Sequence, residues 1–337
     1  MQVPAPATAS VGTVVRARRP QSLVVLAIVA LRIGQILVTA LVASFVTFAL
    51  LRLAPGDPIT MILGTESNNR EAVQALRERF LLDEPLLVQY AHWLTNALTG
   101  DLGESWLFRD SVTSMVASRL PTTALLVAYG GILVIVVGFL LGLWAARSRR
   151  AVDTGVSLGL AVALATPSYV MAIVLITIFS LYLDWFPVFG SGEGLWDRLY
   201  HLTLPAITLA LGASAAMARI TRASIIEESH HDHVLTARAR GFSSREILWR
   251  HIVRNALLPV TTIAGITVAS LVAGTVIVEK AFGLDGIGSL LVLAITRGDY
   301  PTVQSISVII VLAFLTINAV VDVLYTFLDP RTRAVAK

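Results

Sequence analysis

Residues 122–145 read "TTALLVAYGGILVIVVGFLLGLWA", without a single charged side chain. A helix needs about 20 apolar residues to cross a hydrocarbon core of roughly 30 Å, and this stretch supplies them on every face. Working outward, five more windows have the same character: 33–51, 155–183, 202–217, 259–278 and 304–327. The window 202–217 is the weakest, being short and rich in Ala and Gly. The window 155–183 is long, and Pro167 inside it removes a helix hydrogen bond and predicts a kink. Across the chain 55% of residues are hydrophobic and 14% charged, where soluble domains carry about a quarter charged. The expected fold class is therefore all-α integral membrane, with six transmembrane helices and a large external region after the first. The chain has no cysteine, which excludes a disulfide framework and any Cys-based metal or redox site.

Charge sets the expected orientation. With the N-terminus inside, Lys and Arg concentrate in the inner segments 1–32, 146–154, 218–258 and 328–337, while Asp and Glu concentrate in the outer ones. Positive charge stays cytoplasmic in most membrane proteins, so both termini are expected inside a bacterial cytoplasmic membrane. The net charge of +4 is thus a topology signal, and no nucleic-acid partner is expected. Tyr182, Trp185 and Phe186 suit a membrane interface. Near the start, Leu23 to Leu31 follows Arg16, Arg18 and Arg19 and is interrupted by Arg32. A short interfacial helix leading into the first span is expected there, rather than a cleaved leader.

Two loops carry more than connection. The outer segment 52–121 opens with "RLAPGDP" and contains "EAVQALRERF" and "PLLVQYAHWLTNAL", which read as amphipathic helices capping the bundle. The inner segment 218–258 contains "HDHVLTARARGFSSREILWRHIVRNALLP", ending at Pro259. Val234, Leu235, Ile247, Leu248, Trp249 and Ile252 stand among arginines there, and Gly241 breaks the run. A helix, a glycine turn and a second helix fit this pattern. Apolar residues on a surface helix point to a partner.

"TARARG" at 236–241 and "RHIVRNALLP" at 250–259 resemble the permease subunits of ATP-binding cassette importers, in their dipeptide/oligopeptide/nickel branch. So do "LLRLAPGDP" at 50–58, "GDLGES" at 100–105, "RLPTT" at 119–123 and "RITRAS" at 219–224. The series continues with "VEKAFGLDGIGSLL" at 278–291, "RGDYP" at 297–301 and "LDPR" at 328–331. Of the wider family's E-A-A positions, filled here by Leu235, Thr236 and Ala237, only the alanine matches. The resemblance begins after Arg32 and implies an extension over 1–32, a first helix and external cap over 33–121, a core transmembrane domain over 122–329 and a tail over 330–337. It also implies a second homologous permease subunit, two cytoplasmic ATPases holding the ATP and Mg, and an external substrate-binding protein. Leu235, Thr236, Ala237, Arg238, Ala239, Arg240, Gly241, Arg250 and Asn255 would couple the chain to an ATPase. Peptides are the implied cargo, with nickel, glutathione or another small solute as alternatives.

The chain has no G-x-x-x-x-G-K-[ST] phosphate loop, so energy from ATP has to enter through another subunit. A buried hydrolase built on Ser214 needs a base within hydrogen-bond reach, and the six histidines all lie outside the span interiors. Small residues such as Ser214, Gly138 and Gly142 are expected to let helices approach closely. His230, His231 and His233 are read as a solvated, partner-facing turn, with no metal site expected. Asp322, the one acid in the last span, is placed near the inner interface. Proton-coupled transport favours ionisable groups near the midplane, and the spans offer almost none. Thr166, Ser168, Ser214 and Ser270 are the expected pathway-lining residues.

Overall fold

The computed structural model describes residues 21–53, 59, 63, 69–79, 81–148 and 150–328. The expectations for 1–20, for the turn at 54–58, for the side chain of Asp322 and for the tail at 330–337 lie outside the described residues.

Helix α1 spans Gln21–Leu53 without a break. The separate interfacial helix expected before Arg32 is merged into it. No Pro stands in that stretch, and one arginine does not end a helix, since its long stem can carry the charge toward water. Helices α2 (Arg70–Arg79) and α3 (Leu86–Leu98) occupy the two amphipathic segments of the outer region. α3 docks on α1 through Tyr90, whose hydroxyl lies 2.8 Å from Ser44 Oγ and donates to the Leu41 carbonyl at 3.2 Å. Phe45 and Phe48 meet the same ring edge-on.

Helix α4 runs over Val112–Arg147, starting well before the expected boundary at Thr122. Pro121 lies inside it. The first turns persist because Val112, Met115 and Val116 are buried against Ile287, Leu290 and Ile306. Packing on both sides of a proline holds a helix that propensity alone would end.

The third window differs more sharply from expectation. Instead of one kinked span it forms α5 (Arg150–Ala165) and α6 (Ser168–Tyr182), bent by 106° at the break. Pro167 sits in the N-cap position of α6 at φ −59 and ψ 142. Thr166 turns its hydroxyl back to the Val162 carbonyl at 2.8 Å. The Thr166 N–H still donates to the Val162 carbonyl at 3.0 Å, but Pro167 has no N–H to carry the ladder further, so the chain turns a corner. Among the described residues, five helices are long and apolar enough to cross a membrane, or six if the bent pair counts as one span.

Helix α7 (Gly194–Ser229) corrects the reading of the fourth window as a short span. Its apolar window is the most buried of all, at 61%. Its low hydropathy has a physical cause: it meets protein rather than lipid, and small residues admit that contact. A methyl group on Gly138 of α4 would stand 2.7 Å from Met217 Cβ, and one on Gly142 would stand 2.6 Å from the Ala218 carbonyl oxygen. Ser214 belongs to the same close interface, its carbonyl oxygen 3.1 Å from where a methyl on Gly138 would stand. Arg222 clamps α5 onto α7 by donating from Nε and Nη2 to the two oxygens of Asp153.

After α7 come α8 (Asp232–Ala239), α9 (Ser244–Ala281), α10 (Ile287–Arg297) and α11 (Tyr300–Leu328). α10 lies in what the sequence reads as a plain outer loop. It is too short to span, yet Ile287, Leu290 and Ala294 are buried.

Motifs distant in sequence converge around α10. Glu279, fully buried, accepts the Thr123 hydroxyl at 2.6 Å and the Ser289 N–H at 3.0 Å. Thr123 Oγ1 in turn accepts the Ile287 N–H at 2.9 Å, and Arg119 pairs with Asp285 at 2.8 Å. Buried Asp299 accepts the Ser105 hydroxyl at 2.5 Å, the Trp106 N–H at 3.0 Å and the Thr302 hydroxyl at 2.7 Å. These bonds lock the segment around Ser105 and the starts of α4 and α11 to the turns flanking α10. A buried carboxylate held this way is expensive to disturb, because each donor it satisfies would be left unpaired.

Candidate functional site

The elbow between α7 and α9 holds the residues that sequence reading singles out. α7 ends at Ser229, His231 stands at the N-cap position of α8 without a side-chain capping bond, and Gly241 takes φ +80 to reverse the chain. A methyl added at Gly241 would meet nothing within 4 Å, so backbone conformation, not crowding, calls for glycine here. Ser243 then starts α9, its Oγ accepting the Glu246 N–H at 3.3 Å, which satisfies one of the orphan donors of a helix start.

The inner face of the elbow is firmly packed. Val234 and Ala237 from α8 lie against Ile247, Leu248, Ile252, Val253 and Ala256 from α9, with Leu143 of α4 and Ile225 of α7. This corrects the expectation for the apolar residues read as partner-facing. Val234, Ile247, Leu248 and Ile252 bury themselves in their own chain, and the small size of Ala237 lets α8 lie close on α9. Over Ile247–Val253 α9 widens to a π-helical turn, a local irregularity that frequently marks functional stretches.

The outer face is what remains. Leu235, Phe242 and Trp249 are exposed, Leu235 at 53% and Trp249 at 49%. Thr236, Arg238, Ala239, Arg240, Gly241, Arg245 and Arg250 of the same segment are exposed as well. Phe242 was not among the residues expected there; its position just past the glycine turn is what brings it onto this face. Arg250 is held loosely, 3.5 Å from Glu246. Uncovered apolar side chains and arginines in one short segment suit a partner that offers both apolar and acidic surface.

Asn255 has a different place. Its Nδ2 donates to Glu228 Oε1 at 2.8 Å and to the His251 carbonyl at 3.0 Å, so it ties the end of α7 to α9 at the surface of the elbow. Glu228 also stands 3.1 Å from His231 Nδ1 and 3.1 Å from His233 Nε2. His230 turns away, its Nδ1 lying 2.7 Å from the Ile226 carbonyl. Glu228 escapes a reading by sequence because only the turn after α7 folds it back over His233.

The residues expected to line a pathway come from different helices. Thr166 and Ser168 are half-buried at the α5–α6 corner. Ser214 is buried and lines an apolar cleft with Leu160 and Ala163. Ser270 is exposed on α9, with its hydroxyl bonded to the Thr267 carbonyl at 2.7 Å. A separate apolar groove, lined by Val136, Phe139 and Leu140 of α4 and by Val253, Leu257 and Val260 of α9, runs up to Trp249 at the elbow.

Comparison with known proteins accounts for this architecture. Residues 138–334 match the family described as "Binding-protein-dependent transport system inner membrane component", and residues 25–127 match the N-terminal family of such membrane components. A permease protein of Brucella abortus (strain 2308) is 38% identical over 91% of this chain and 99% of its own. The oligopeptide transport system permease AppB of Bacillus subtilis (strain 168) is 34% identical, over 86% of this chain and 93% of its own. The glutathione transport system permease GsiC of Escherichia coli (strain K12) is 35% identical over 88% and 95%. Among solved structures, the MetNI methionine ABC transporter in an inward-facing form aligns with a TM-score of 0.55 at 17% identity, covering 64% of this chain and 96% of that one. That likeness concerns the fold. The family matches and the relatives together make this chain a multi-pass inner membrane protein, a member of the binding-protein-dependent transport system inner membrane component family.

Proposed function

We propose that this chain forms half of the translocation pathway of an ATP-driven importer of peptides, moved by an ATPase that grips the outer face of the α7–α9 elbow. The observation that carries this reading is the division of labour in the elbow. Its inner face is fixed to three long helices, whereas Leu235, Phe242 and Trp249 and the arginines of the same segment are left exposed. A compact element rigidly tied to the bundle passes a push from a neighbour into the spans as a rigid-body movement. The chain itself has no phosphate-binding loop, so the push must come from outside it.

The full assembly has a second, homologous permease, two ATPases and an external substrate-binding protein, with both termini of this chain cytoplasmic. The exposed apolar faces of α4 and α9, such as Ile132, Ile135, Ile266 and Ile277, offer surface for the second permease and for lipid. Thr166, Ser168, Ser214 and Ser270 remain the polar groups proposed for the pathway, entered as separate stations. Peptide cargo is favoured by the relatives named for peptide and glutathione transport.

Proteoliposomes holding the complete complex and the binding protein should accumulate labelled peptide when ATP is sealed with the ATPases, and should not without it. Peptide uptake driven by a proton gradient in liposomes holding this chain alone would contradict the reading.

A further inference from the structure

Where α7 gives way to α8, three side chains offer ligand atoms to one point in space. Glu228, His231 and His233 each present one such atom, and these lie within 4.8 Å of one another. We propose that they bind one divalent transition cation, of the zinc class. Neither the family match nor the transport reading calls for such a site, and it stands whether or not peptides are the cargo.

The chemistry of the donors selects the metal. Two imidazoles and one carboxylate suit Zn2+ and its neighbours, whereas Ca2+ and Mg2+ take oxygen cages. The geometry fits as well. Zinc bonds of about 2.0–2.2 Å in a tetrahedron place adjacent ligand atoms roughly 3.3 Å apart. Here Glu228 Oε2 lies 3.1 Å from His231 Nδ1, and Glu228 Oε1 lies 3.1 Å from His233 Nε2. One ligand atom from each of the three residues lies within 4.8 Å of the others, close enough for one ion to draw them onto a common centre. Three protein ligands then leave a fourth position for water.

The site is also built rather than incidental. The Glu228 side chain is only 14% exposed, so it has few other places to point. Asn255, from α9, donates to its Oε1 at 2.8 Å and holds the carboxylate in place as an outer-shell partner does in a metal site. The histidines are open enough to admit an ion, at 53% and 41% side-chain exposure. His251 stands beside them, its ring centroid 6.5 Å from that of His233 and its Nε2 buried without a hydrogen-bond partner. An ion seated here would tie the last turn of α7 to the first turn of α8, fixing the attitude of the elbow helix.

The test uses the purified full-length chain in detergent, with no polyhistidine tag, titrated with Co2+ as a visible probe and then with Zn2+ as competitor. One Co2+ per chain should bind, give ligand-field bands of a nitrogen- and oxygen-ligated ion, and be displaced by Zn2+. His231→Ala/His233→Ala should abolish that binding while leaving metal-free thermal melting unchanged, and His230→Ala should change neither. Asn255→Ala should weaken binding by about 10–100-fold, the usual penalty for losing an outer-shell partner. Failure of the wild-type chain to saturate at one ion would overturn the proposal, as would equally tight binding by the double variant.

Discussion

Gly142→Leu is expected to break the bundle. A methyl at that position would already stand 2.5 Å from Thr221 Cβ and 2.6 Å from the Ala218 carbonyl oxygen. The second of these is backbone and cannot rotate away. The contact between α4 and α7 is the most extensive in the molecule, so the two helices have to separate along much of their length to admit a leucine. Overpacking a tight interface typically costs about 1–3 kcal/mol, and a clash with backbone on a straight helix belongs at or above the upper end. Against a total stability on the order of 5–15 kcal/mol, that is a large share. Thermal melting in detergent should fall by several degrees or more, and membrane yield should drop with it. Gly155 supplies the control. A methyl there meets nothing within 4 Å, so Gly155→Ala should melt at or slightly above the wild-type temperature. Equal melting of Gly142→Leu and wild type would mean that α4 and α7 do not pack as described.

The second large effect is functional rather than structural. Leu235→Glu together with Trp249→Glu should leave insertion and melting close to wild type, because both side chains already face outward. The same pair of changes should bring ATP-dependent uptake to background. Apolar anchors at the centre of an interface contribute about 2 kcal/mol or more each on truncation, and charges placed there add desolvation. Two such losses amount to an affinity drop on the order of a thousandfold. Gly241→Val should point the same way through another route. A β-branched residue forced to φ +80 is strained by roughly 1–2 kcal/mol, which the turn can relieve only by tilting α8. Uptake at wild-type rate with both glutamates present would remove the elbow from the transport mechanism.

Much of this was legible before any coordinates. Long uncharged windows announce spans because lipid demands them, and the apolar middles of α4, α9 and α11 follow directly, although α4 and α9 begin well before their windows. The two amphipathic segments of the outer region also read correctly, since their apolar residues recur at helical spacing. What hydropathy misjudges is the helix that never touches lipid. α7 looks weak because Ala, Gly, Ser and Thr replace the large aliphatics, yet those small residues are what let α4 approach. The corner at Pro167 shows the opposite limit: a proline in a long window signals a break, but a kink and a turn of 106° leave the same trace in sequence.

The candidate site divides along similar lines. That the elbow is a helix, a glycine turn and a second helix could be read from Gly241 and the spacing around it. Which of its apolar residues stay uncovered could not, because Val234 and Leu235 are adjacent and differ only in which way the helix turns them. Glu279 and Asp299 give no signal in the sequence for a related reason. Their partners Thr123 and Ser105 lie far away along the chain, so the pairing exists only in three dimensions. Glu228 joins His231 and His233 in the same manner.

The chain contains no cysteine, so a single Leu235→Cys variant gives a unique reporter at the elbow. A membrane-impermeant maleimide should fail to label it in intact cells, label it fully in inside-out vesicles stripped of their peripheral subunits, and label it slowly once purified ATPase is added back. Labelling from outside intact cells, or a rate in the vesicles that the ATPase does not change, would contradict the claim that this face is where the chain is driven.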